Sequence, residues 1–237
     1  MPELPDVEMF RRAAERCCRG REIARVVVND PGSIDGVTAA ALQRRLHAAR
    51  LQAFRRHGKH LLVRLDPPTV LTMHFGTNGA LRPLAQGETE PASTRLRFDF
   101  TDGSGLAYVN PRRIGRVSLA PDEAAFVAAA GLGPDALDPG FDAAAFAAAL
   151  AGRRQALKTV LMDQARMAGI GNIYADEILF QAGLPPDVPA RALDAAQTCR
   201  LFATMRQVLQ AAIDHGVGAE TGTTRHLRHG PTAPNRY

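Results

Sequence analysis

The chain has 237 residues, with 29 Lys and Arg against 24 Asp and Glu and a sequence pI near 9.6. It holds no run of roughly eighteen apolar residues that would span a membrane. No basic segment followed by an apolar one opens it, so we expect no signal peptide. The basic excess is almost entirely arginine and favours an anionic partner, nucleic acid before membrane.

The opening segment and the residues after it predict one helix followed by β structure. MPELPDVEMFRRAAERCCRG carries proline and acidic residues in its first turn and ends at Gly20, as a helix does. Thr38 opens a second helix over 38–49. Short apolar or β-branched segments bounded by turns predict strands at 23–29, 60–66, 69–75 and 94–100, followed by GLAYVN and GRVSL.

Three of these segments carry more specific signals. The segments at 60–66 and 69–75 are separated by Pro-Pro and predict a hairpin. In TRLRFDF, Leu96, Phe98 and Phe100 alternate with charged residues, which is typical of a strand with one buried face. The first part of the chain therefore predicts a sheet or sandwich with added helices.

The composition changes near residue 121 to helix-forming residues with a helical period. The segments PDEAAFVAAAGLG, DAAAFAAALAG, QALKTVLMDQ, NIYADEILFQAG and ALDAAQTCRLFATMRQVLQAAIDHG each predict a helix. The sequence thus predicts an α+β protein. Its divisions are an N-terminal β domain with flanking helices (1–132), a linker (133–142), a helical domain (143–218) and an irregular tail (219–237).

The first residues, MPELPD, allow two interpretations. Proline followed by acidic residues is an ordinary helix start, and local grounds alone favour that interpretation. Removal of Met1 would instead expose the secondary amine of Pro2 one residue away from the Glu3 carboxylate. Such an amine is a candidate nucleophile, because an α-amino group has a pKa of roughly 8 and is partly neutral at cellular pH.

Three further motifs are weak when taken singly. RRHGKHLL places a basic cluster and Gly58 just before a strand, and YVNPRRIGRV places Arg112 and Arg113 on a turn between strands. MAGIGNIYADEILF places a glycine-rich turn at the start of a helix, where backbone N–H groups bind phosphate well. Each pattern is also common on surfaces that bind nothing.

Taken together and in order, the motifs are specific. MPELPDVE, RRHGKHLL, HFGTNGAL, NPRRIG, LGPDAL and LMDQARMAGIGNIYADEILF resemble the formamidopyrimidine-DNA glycosylase and endonuclease VIII family of base-excision repair enzymes. The resemblance runs from residue 2 to about 216, and Leu4 favours the formamidopyrimidine branch. It implies a β-sandwich, a helical domain with a helix–two-turn–helix motif around 155–182, and damaged double-stranded DNA in the cleft between them. It also implies a monomer at the bacterial nucleoid in the cytoplasm, with no membrane partner.

The resemblance also implies roles for single residues. Pro2 would be the nucleophile and Glu3 the general acid/base, with Lys59 as a third catalytic residue. Pro2 would form an iminium with the sugar, which permits strand cleavage by elimination. The implied DNA contacts are Arg112, Arg113, Lys59, Asn172, Lys158, Gly171, His74, Thr77 and Ile114.

The chain departs from the family pattern at three places. Thr77 stands where the family has a wedge methionine, and Ile114 stands where it has phenylalanine, while Arg112 keeps its type. The loop that covers the flipped base is not recognisable in 214–230. The three cysteines form no C-x-x-C pair, so the family's C-terminal zinc finger has no counterpart before Tyr237. We expect no metal or cofactor, and zinc only if the chain is a piece of a longer protein.

Three functions remain as alternatives at this point. The leading one is a bifunctional DNA glycosylase and AP lyase that removes damaged bases, oxidised purines first. The second is a DNA- or lesion-binding paralogue without glycosylase activity, which the altered wedge and missing finger favour. A third, an RNA- or ribosome-associated protein, is disfavoured by the opening. Pro2 and Glu3 favour the enzyme, since a pure binding protein has no use for that pair.

Overall fold

The computed structural model describes residues 1–216, which form two antiparallel sheets and a set of helices. The strands are β1 (Ile23–Val28), β2 (Arg50–His57), β3 (His60–Asp66), β4 (Thr69–His74), β5 (Ala80–Leu84), β6 (Thr94–Phe100), β7 (Gly105–Val109) and β8 (Arg116–Ala120). The helices are α1 (Leu4–Cys18), α2 (Ala39–Leu46), α3 (Glu123–Ala129), α4 (Ala143–Leu150), α5 (Leu157–Met162), α6 (Asn172–Ala182) and α7 (Ala195–Asp214). The predicted α+β class is confirmed.

The strands form a sandwich around one apolar core. One sheet has the order β2-β3-β4-β8 and the other β1-β6-β7-β5. Leu96, Phe98 and Phe100 of β6 are buried in this core together with Leu61 and Val63 of β3, from the opposite sheet. The alternation that predicts β6 therefore reflects one face turned to the core and one turned to solvent.

The sequence patterns identify most of the elements correctly. The predicted hairpin is β3 followed by β4, which pair antiparallel. Thr38 caps α2, where its hydroxyl accepts a hydrogen bond from the backbone N–H of Ala41 at 3.2 Å. The helices expected after residue 121 are α3 to α7.

The sequence patterns do not predict strand β2, and the reason is physical. Its exposed positions carry Arg50, Gln52 and Arg55, and a bulge between Leu51 and Ala53 interrupts the alternation. The sequence patterns also miss strand β5, because it contains Pro83. Proline is tolerated there because β5 lies at the edge of its sheet.

The basic cluster RRHGKHLL therefore does not simply precede a strand, as the sequence predicts. Strand β2 ends at His57, Gly58 and Lys59 form a tight turn, and β3 begins at His60. The cluster is a hairpin tip, which places Lys59 at the end of the sandwich.

The helices α4 to α7 surround a second apolar core, and α1 joins it to the first. Leu4, at the start of α1, is fully buried in the second core. Val7, Phe10 and Ala14, further along the same helix, are buried in the core of the sandwich. Helix α1 is therefore shared by the two cores.

Residues 133–142, predicted as a linker, pack against both parts of the described chain. Ala136 and Phe141 are buried in the second core. Asp135 is 5% exposed and accepts a hydrogen bond from the Leu137 N–H at 2.9 Å. The domain boundaries themselves stay a prediction, and the predicted tail, 219–237, lies outside the described residues.

A buried ionic cluster ties the linker to the sandwich. The Arg56 guanidinium contacts the Asp135 carboxylate, and its Nε lies 3.4 Å from Glu8 Oε2 in α1. Asp135 Oδ2 also accepts a hydrogen bond from the Gly58 N–H at 2.6 Å. One carboxylate thus anchors both Arg56 and the turn that carries Lys59.

No helix among residues 1–216 is long and apolar enough to cross a membrane.

The first prediction concerns Asp135. We expect Asp135→Ala to lower the free energy of unfolding by about 3 kcal/mol, because it leaves the largely buried Arg56 guanidinium with only the longer contact to Glu8 and removes the acceptor of the Gly58 N–H. Urea unfolding followed by circular dichroism measures this loss. The control is Glu22→Ala, which breaks the exposed pair with Arg50 and should cost less than about 1 kcal/mol. Equal losses in the two variants would contradict the assignment.

Candidate active site

The Glu3 carboxylate lies against the N-terminus of α6. Glu3 is 1% exposed, and its two oxygens accept hydrogen bonds from the backbone N–H groups of Gly171 (2.6 Å), Ile173 (2.9 Å) and Tyr174 (3.2 Å). These donors have no partner within their own helix, and the helix dipole favours a negative charge there. Two segments 168 residues apart in the chain thus build one site.

Two glycines make this approach possible. A Cβ on Gly171 would collide with Glu3 Cδ, and it would lie 2.5 Å from Glu3 Oε1. A Cβ on Gly169, where φ is +123°, would lie 2.5 Å from Leu4 Cδ1. The Leu4 N–H also donates a hydrogen bond to the Gly169 carbonyl at 3.0 Å. The G-x-G turn is therefore a cradle for the opening segment of the chain.

This finding changes the interpretation of Gly171. The sequence predicts a glycine whose N–H binds a DNA phosphate. In the structure Gly171 is buried and its N–H is bound to Glu3. Its role in the free protein is to hold the carboxylate.

Asp6 is a second acidic group at this end of α1, and the sequence patterns do not single it out as a site residue. Its carboxylate accepts a hydrogen bond from the Glu3 N–H at 2.9 Å. Burial raises the pKa of the Asp6 carboxyl to about 6, although this hydrogen bond opposes the shift. Pro2, half-buried, precedes these two acids in the chain. The site therefore holds a carboxyl whose pKa of about 6 is not far below neutral pH. The charge of Glu3 raises this pKa, and the positive charge of the chain terminus lowers it.

Lys59 lies close to the same site, at the tip of the β2–β3 hairpin. It is 7% exposed; burial lowers the pKa of its amine, and the charge of Glu3 partly opposes this. Gly58 brings the tip there, because a Cβ on Gly58 would lie 2.7 Å from the Ala168 Cβ and 3.0 Å from the Gly169 nitrogen. The structure thus brings together Glu3 and Lys59, two of the predicted catalytic residues.

His74 lies next to this hairpin, at the end of β4. It pairs in register with His60, and the two rings are 4.9 Å apart. Burial lowers the pKa of His74, and the charges of Lys59 and Arg116 lower it further. Burial also lowers the pKa of His60, to about 3. Both imidazoles are therefore neutral at pH 7, and neither adds a positive charge to the site.

The predicted wedge and phosphate residues lie on two neighbouring loops. Arg112, Arg113 and Ile114 are exposed in the turn between β7 and β8, and Ile114 is 50% exposed. The Arg113 Nε lies 3.6 Å from Asp30 Oδ2, so this cation already has a partner. Thr77 is half-buried in the loop after β4, and its hydroxyl has no hydrogen-bond partner among the described residues.

The remaining predicted contacts belong to the paired helices α5 and α6. Asn172 is the exposed first residue of α6, directly after the glycine that holds Glu3. The Lys158 Nζ in α5 lies 2.7 Å from Asp176 Oδ1 in α6. Asn172 thus faces solvent beside the buried carboxylate, whereas Lys158 is paired in the free protein.

A β-sandwich and a set of helices meet at a buried carboxylate with a buried lysine nearby, so the candidate site lies where these two parts of the chain join. The comparisons with known proteins identify the class of protein. The sequence matches the family model of the formamidopyrimidine-DNA glycosylase N-terminal domain over residues 1–117, and that of the H2TH domain over 132–224. The chain belongs to the formamidopyrimidine-DNA glycosylase family.

Individual relatives agree. The chain is 41% identical to a formamidopyrimidine-DNA glycosylase of Moorella thermoacetica over 215 residues, which cover 90% of this chain and 78% of the relative. It is 39% identical to that of Geobacter metallireducens, with 91% and 80% covered. Among solved structures, the complex between Lactococcus lactis Fpg and DNA containing an abasic site matches with a TM-score of 0.85 and 26% identity, covering 93% of this chain and 83% of that one.

Membership confirms the enzyme class predicted from the sequence, a DNA glycosylase of base-excision repair with DNA as its partner. It also confirms the helix–two-turn–helix domain. The alternative of a glycosylase-deficient binding paralogue is not favoured. The segment 214–230, in which the sequence shows no recognisable covering loop, lies almost wholly outside the described residues.

The second prediction tests the glycine cradle. Gly171→Ala should lower the rate of abasic-site cleavage by about 10²-fold, because the added Cβ displaces the Glu3 carboxylate and general acid/base catalysis is lost. Single-turnover cleavage of an end-labelled oligonucleotide measures the rate.

Gly183→Ala serves as the control at the other end of α6. Its φ is +64°, and a Cβ there would have no neighbour within 4 Å. It strains the backbone without touching the site, so activity should stay near that of the parent. A fully active Gly171→Ala variant would show that the Glu3 position is not needed.

Proposed function

We propose that Pro2 is the nucleophile and Glu3 the general acid/base of this glycosylase and AP lyase. The supporting observation is the position of Glu3, whose carboxylate is held by three backbone N–H groups one residue from Pro2. An ordinary helix start would not require a buried acidic residue in that place. The two residues are adjacent, so docking the first turn of α1 positions both.

The proposed reaction begins when the neutral Pro2 nitrogen attacks the anomeric carbon of the damaged nucleotide. The bond to the base breaks, and the base takes up a proton from water. Glu3 accepts the proton that the Pro2 nitrogen loses and delivers it to the sugar oxygen as the ring opens, so that an iminium ion forms between Pro2 and the sugar. The iminium accepts electrons during loss of the 2′ proton and the 3′ phosphate, and a second elimination releases the 5′ phosphate.

The proposed DNA contacts are the cations and amide near this site. Lys59, Arg112, Arg113 and Asn172 would bind phosphates, and Lys158 would do so after leaving Asp176. Phosphate contacts supply affinity that falls with salt. Since the base must leave the stack before attack, the loops that hold Thr77 and Ile114 would occupy the gap it leaves.

We further propose that oxidised purines are the principal lesions, and that the protein acts as a monomer at the bacterial nucleoid. The expectation of no metal stays a prediction. Among residues 1–216, no group of three or more His, Cys, Asp or Glu side chains could hold a metal ion. The predicted absence of a zinc finger concerns residues beyond those described.

The third prediction tests the nucleophile. Borohydride should trap a covalent adduct between the protein and DNA with an abasic site, because it reduces the iminium. Pro2→Gly should weaken trapping, and retention of Met1 should abolish it, since no free secondary amine is then present. Denaturing gel electrophoresis of the labelled adduct measures this. Equal trapping by a protein with a blocked terminus would assign the reaction to a lysine, with Lys59 first to be tested.

The fourth prediction concerns the wedge. Thr77 and Ile114 present less apolar bulk than methionine and phenylalanine, so less binding energy offsets the few kcal/mol that unstacking a base costs. We expect abasic sites to be cut fastest, lesions in single strands or bubbles next, and 8-oxoguanine paired with cytosine slowest. Single-turnover assays on end-labelled oligonucleotides give the order.

The matched variants for this test are Thr77→Met and Ile114→Phe, which should each speed excision of paired 8-oxoguanine and leave abasic-site cleavage unchanged. Efficient excision by the parent protein, with no gain in either variant, would show that another element fills the gap.

A further inference from the structure

Asn110 is a buried polar residue that contacts two loops at once. It is fully buried, and its Nδ2 donates a hydrogen bond to the Phe75 carbonyl at 3.0 Å. Its Oδ1 accepts one from the Ile114 N–H at 3.2 Å. We name the segments 75–79 and 110–115 the first and the second loop. A single amide therefore bridges the first loop, which carries Thr77, and the second, which carries Ile114.

The two loops also touch through their backbones. A Cβ on Gly76 would lie 2.7 Å from the Gly115 nitrogen, and φ at Gly76 is +61°. A Cβ on Gly115 would collide with the Tyr108 hydroxyl and with Asn110 Nδ2. Glycine at both positions lets the two loops touch, and any side chain there would push them apart.

The bridge is itself anchored in the sandwich. The Asn110 N–H donates to the Ser93 carbonyl at 3.0 Å, and the Asn110 carbonyl accepts from Arg95 Nε at 2.8 Å. The Tyr108 hydroxyl donates to the His74 carbonyl at 2.6 Å and lies 3.3 Å from Asn110 Nδ2. The position of the amide is therefore set by the core and not by the loops.

A side chain that serves both loops must donate one hydrogen bond and accept another. The contact with the Phe75 carbonyl needs a donor, and the contact with the Ile114 N–H needs an acceptor. An ionised carboxylate has no donor, and at this position it would oppose the oxygen of Phe75. Two buried acceptor oxygens that face each other raise the free energy of the folded state. The first loop would move away from residue 110 to relieve this repulsion.

We propose that Asn110 is a positioning residue that makes the two loops one rigid unit, so that Thr77 and Ile114 enter the damaged duplex together. The proposal rests on the proposed function, in which these loops fill the gap left by the flipped base. It assigns Asn110 no contact with DNA. Its effect is on substrates that must be unstacked, and not on the reaction at Pro2.

The first test is Asn110→Asp, with single-turnover rates measured for two substrates between pH 6 and pH 8. Excision of 8-oxoguanine from a duplex should fall at least tenfold at pH 8, whereas cleavage of an abasic site in a single strand should match the parent. Burial raises the pKa of a carboxyl at this position, so the protonated acid donates to Phe75 as pH falls. At each pH, the ratio of the duplex rate to the single-strand rate is divided by the same ratio in the parent protein. This quotient should therefore rise towards 1 as the pH falls from 8 to 6.

The matched control is Asn29→Asp. Asn29 is exposed and its Nδ2 also donates to a backbone carbonyl, that of Thr94 at 3.2 Å. The charge change is the same, and the normalised ratio should not depend on pH.

Tyr108→Phe is the second variant if Asn110→Asp fails to fold, because it removes only the hydroxyl that donates a hydrogen bond to the His74 carbonyl. It should lower the duplex rate alone, by a smaller factor.

The outcomes separate the two proposals. If the parent protein cannot cleave the single-stranded abasic site, the proposed function fails. If it cleaves that site, but the Asn110 and Tyr108 variants lose both substrates equally, Asn110 is only structural and the inference is overturned. Equal loss at pH 6 and pH 8 would also overturn it, since the donor would then not matter.

Discussion

The hydrogen bonds from the N-terminus of α6 to the Glu3 carboxylate are the interaction on which the site depends. Hydrogen bonds to charged groups are worth about 1.5–3 kcal/mol each, and here three converge on one carboxylate. They satisfy orphan donors of α6 and bury the acid without a cationic partner. Because Glu3 precedes α1 and Gly171 precedes α6, the same bonds join the sandwich to the helical domain. The hydrogen bonds that hold the proposed general acid/base therefore also join the two parts of the chain.

Three further contacts surround this one. The Asp135 cluster holds the β2–β3 hairpin against the segment that leads into the helical domain, and that hairpin presents Lys59. Leu4 is buried among the helices while Phe10 of the same helix is buried in the sandwich. Each contact joins elements far apart in sequence, and each fixes the position of a residue proposed for catalysis. The contacts that join the two parts of the chain are therefore also the contacts that build the site.

The loops proposed to meet DNA are built differently from the catalytic centre. Arg113 and Lys158 are paired with Asp30 and Asp176 in the free protein, so binding a phosphate exchanges one anion for another. Exposed pairs of this kind are worth less than about 1 kcal/mol, and the exchange is therefore inexpensive. Glu3 and Lys59, proposed for catalysis, are buried, whereas Arg112, Arg113 and Asn172, proposed to bind DNA, are exposed.

The sequence by itself determined the fold class, most of the elements, the family and the identity of the motifs. Patterns such as TRLRFDF and the cap at Thr38 act within a few residues, where periodicity and local hydrogen bonds decide the structure. Only the tertiary structure decided what the motifs are for. The G-x-G turn predicts a phosphate site, and in the fold it cradles Glu3, because the clash that excludes a Cβ at Gly171 comes from a residue 168 positions away. Asp135 and Asn110 carry no local signal for the same reason, since their partners Arg56 and Phe75 meet them only when the sandwich closes.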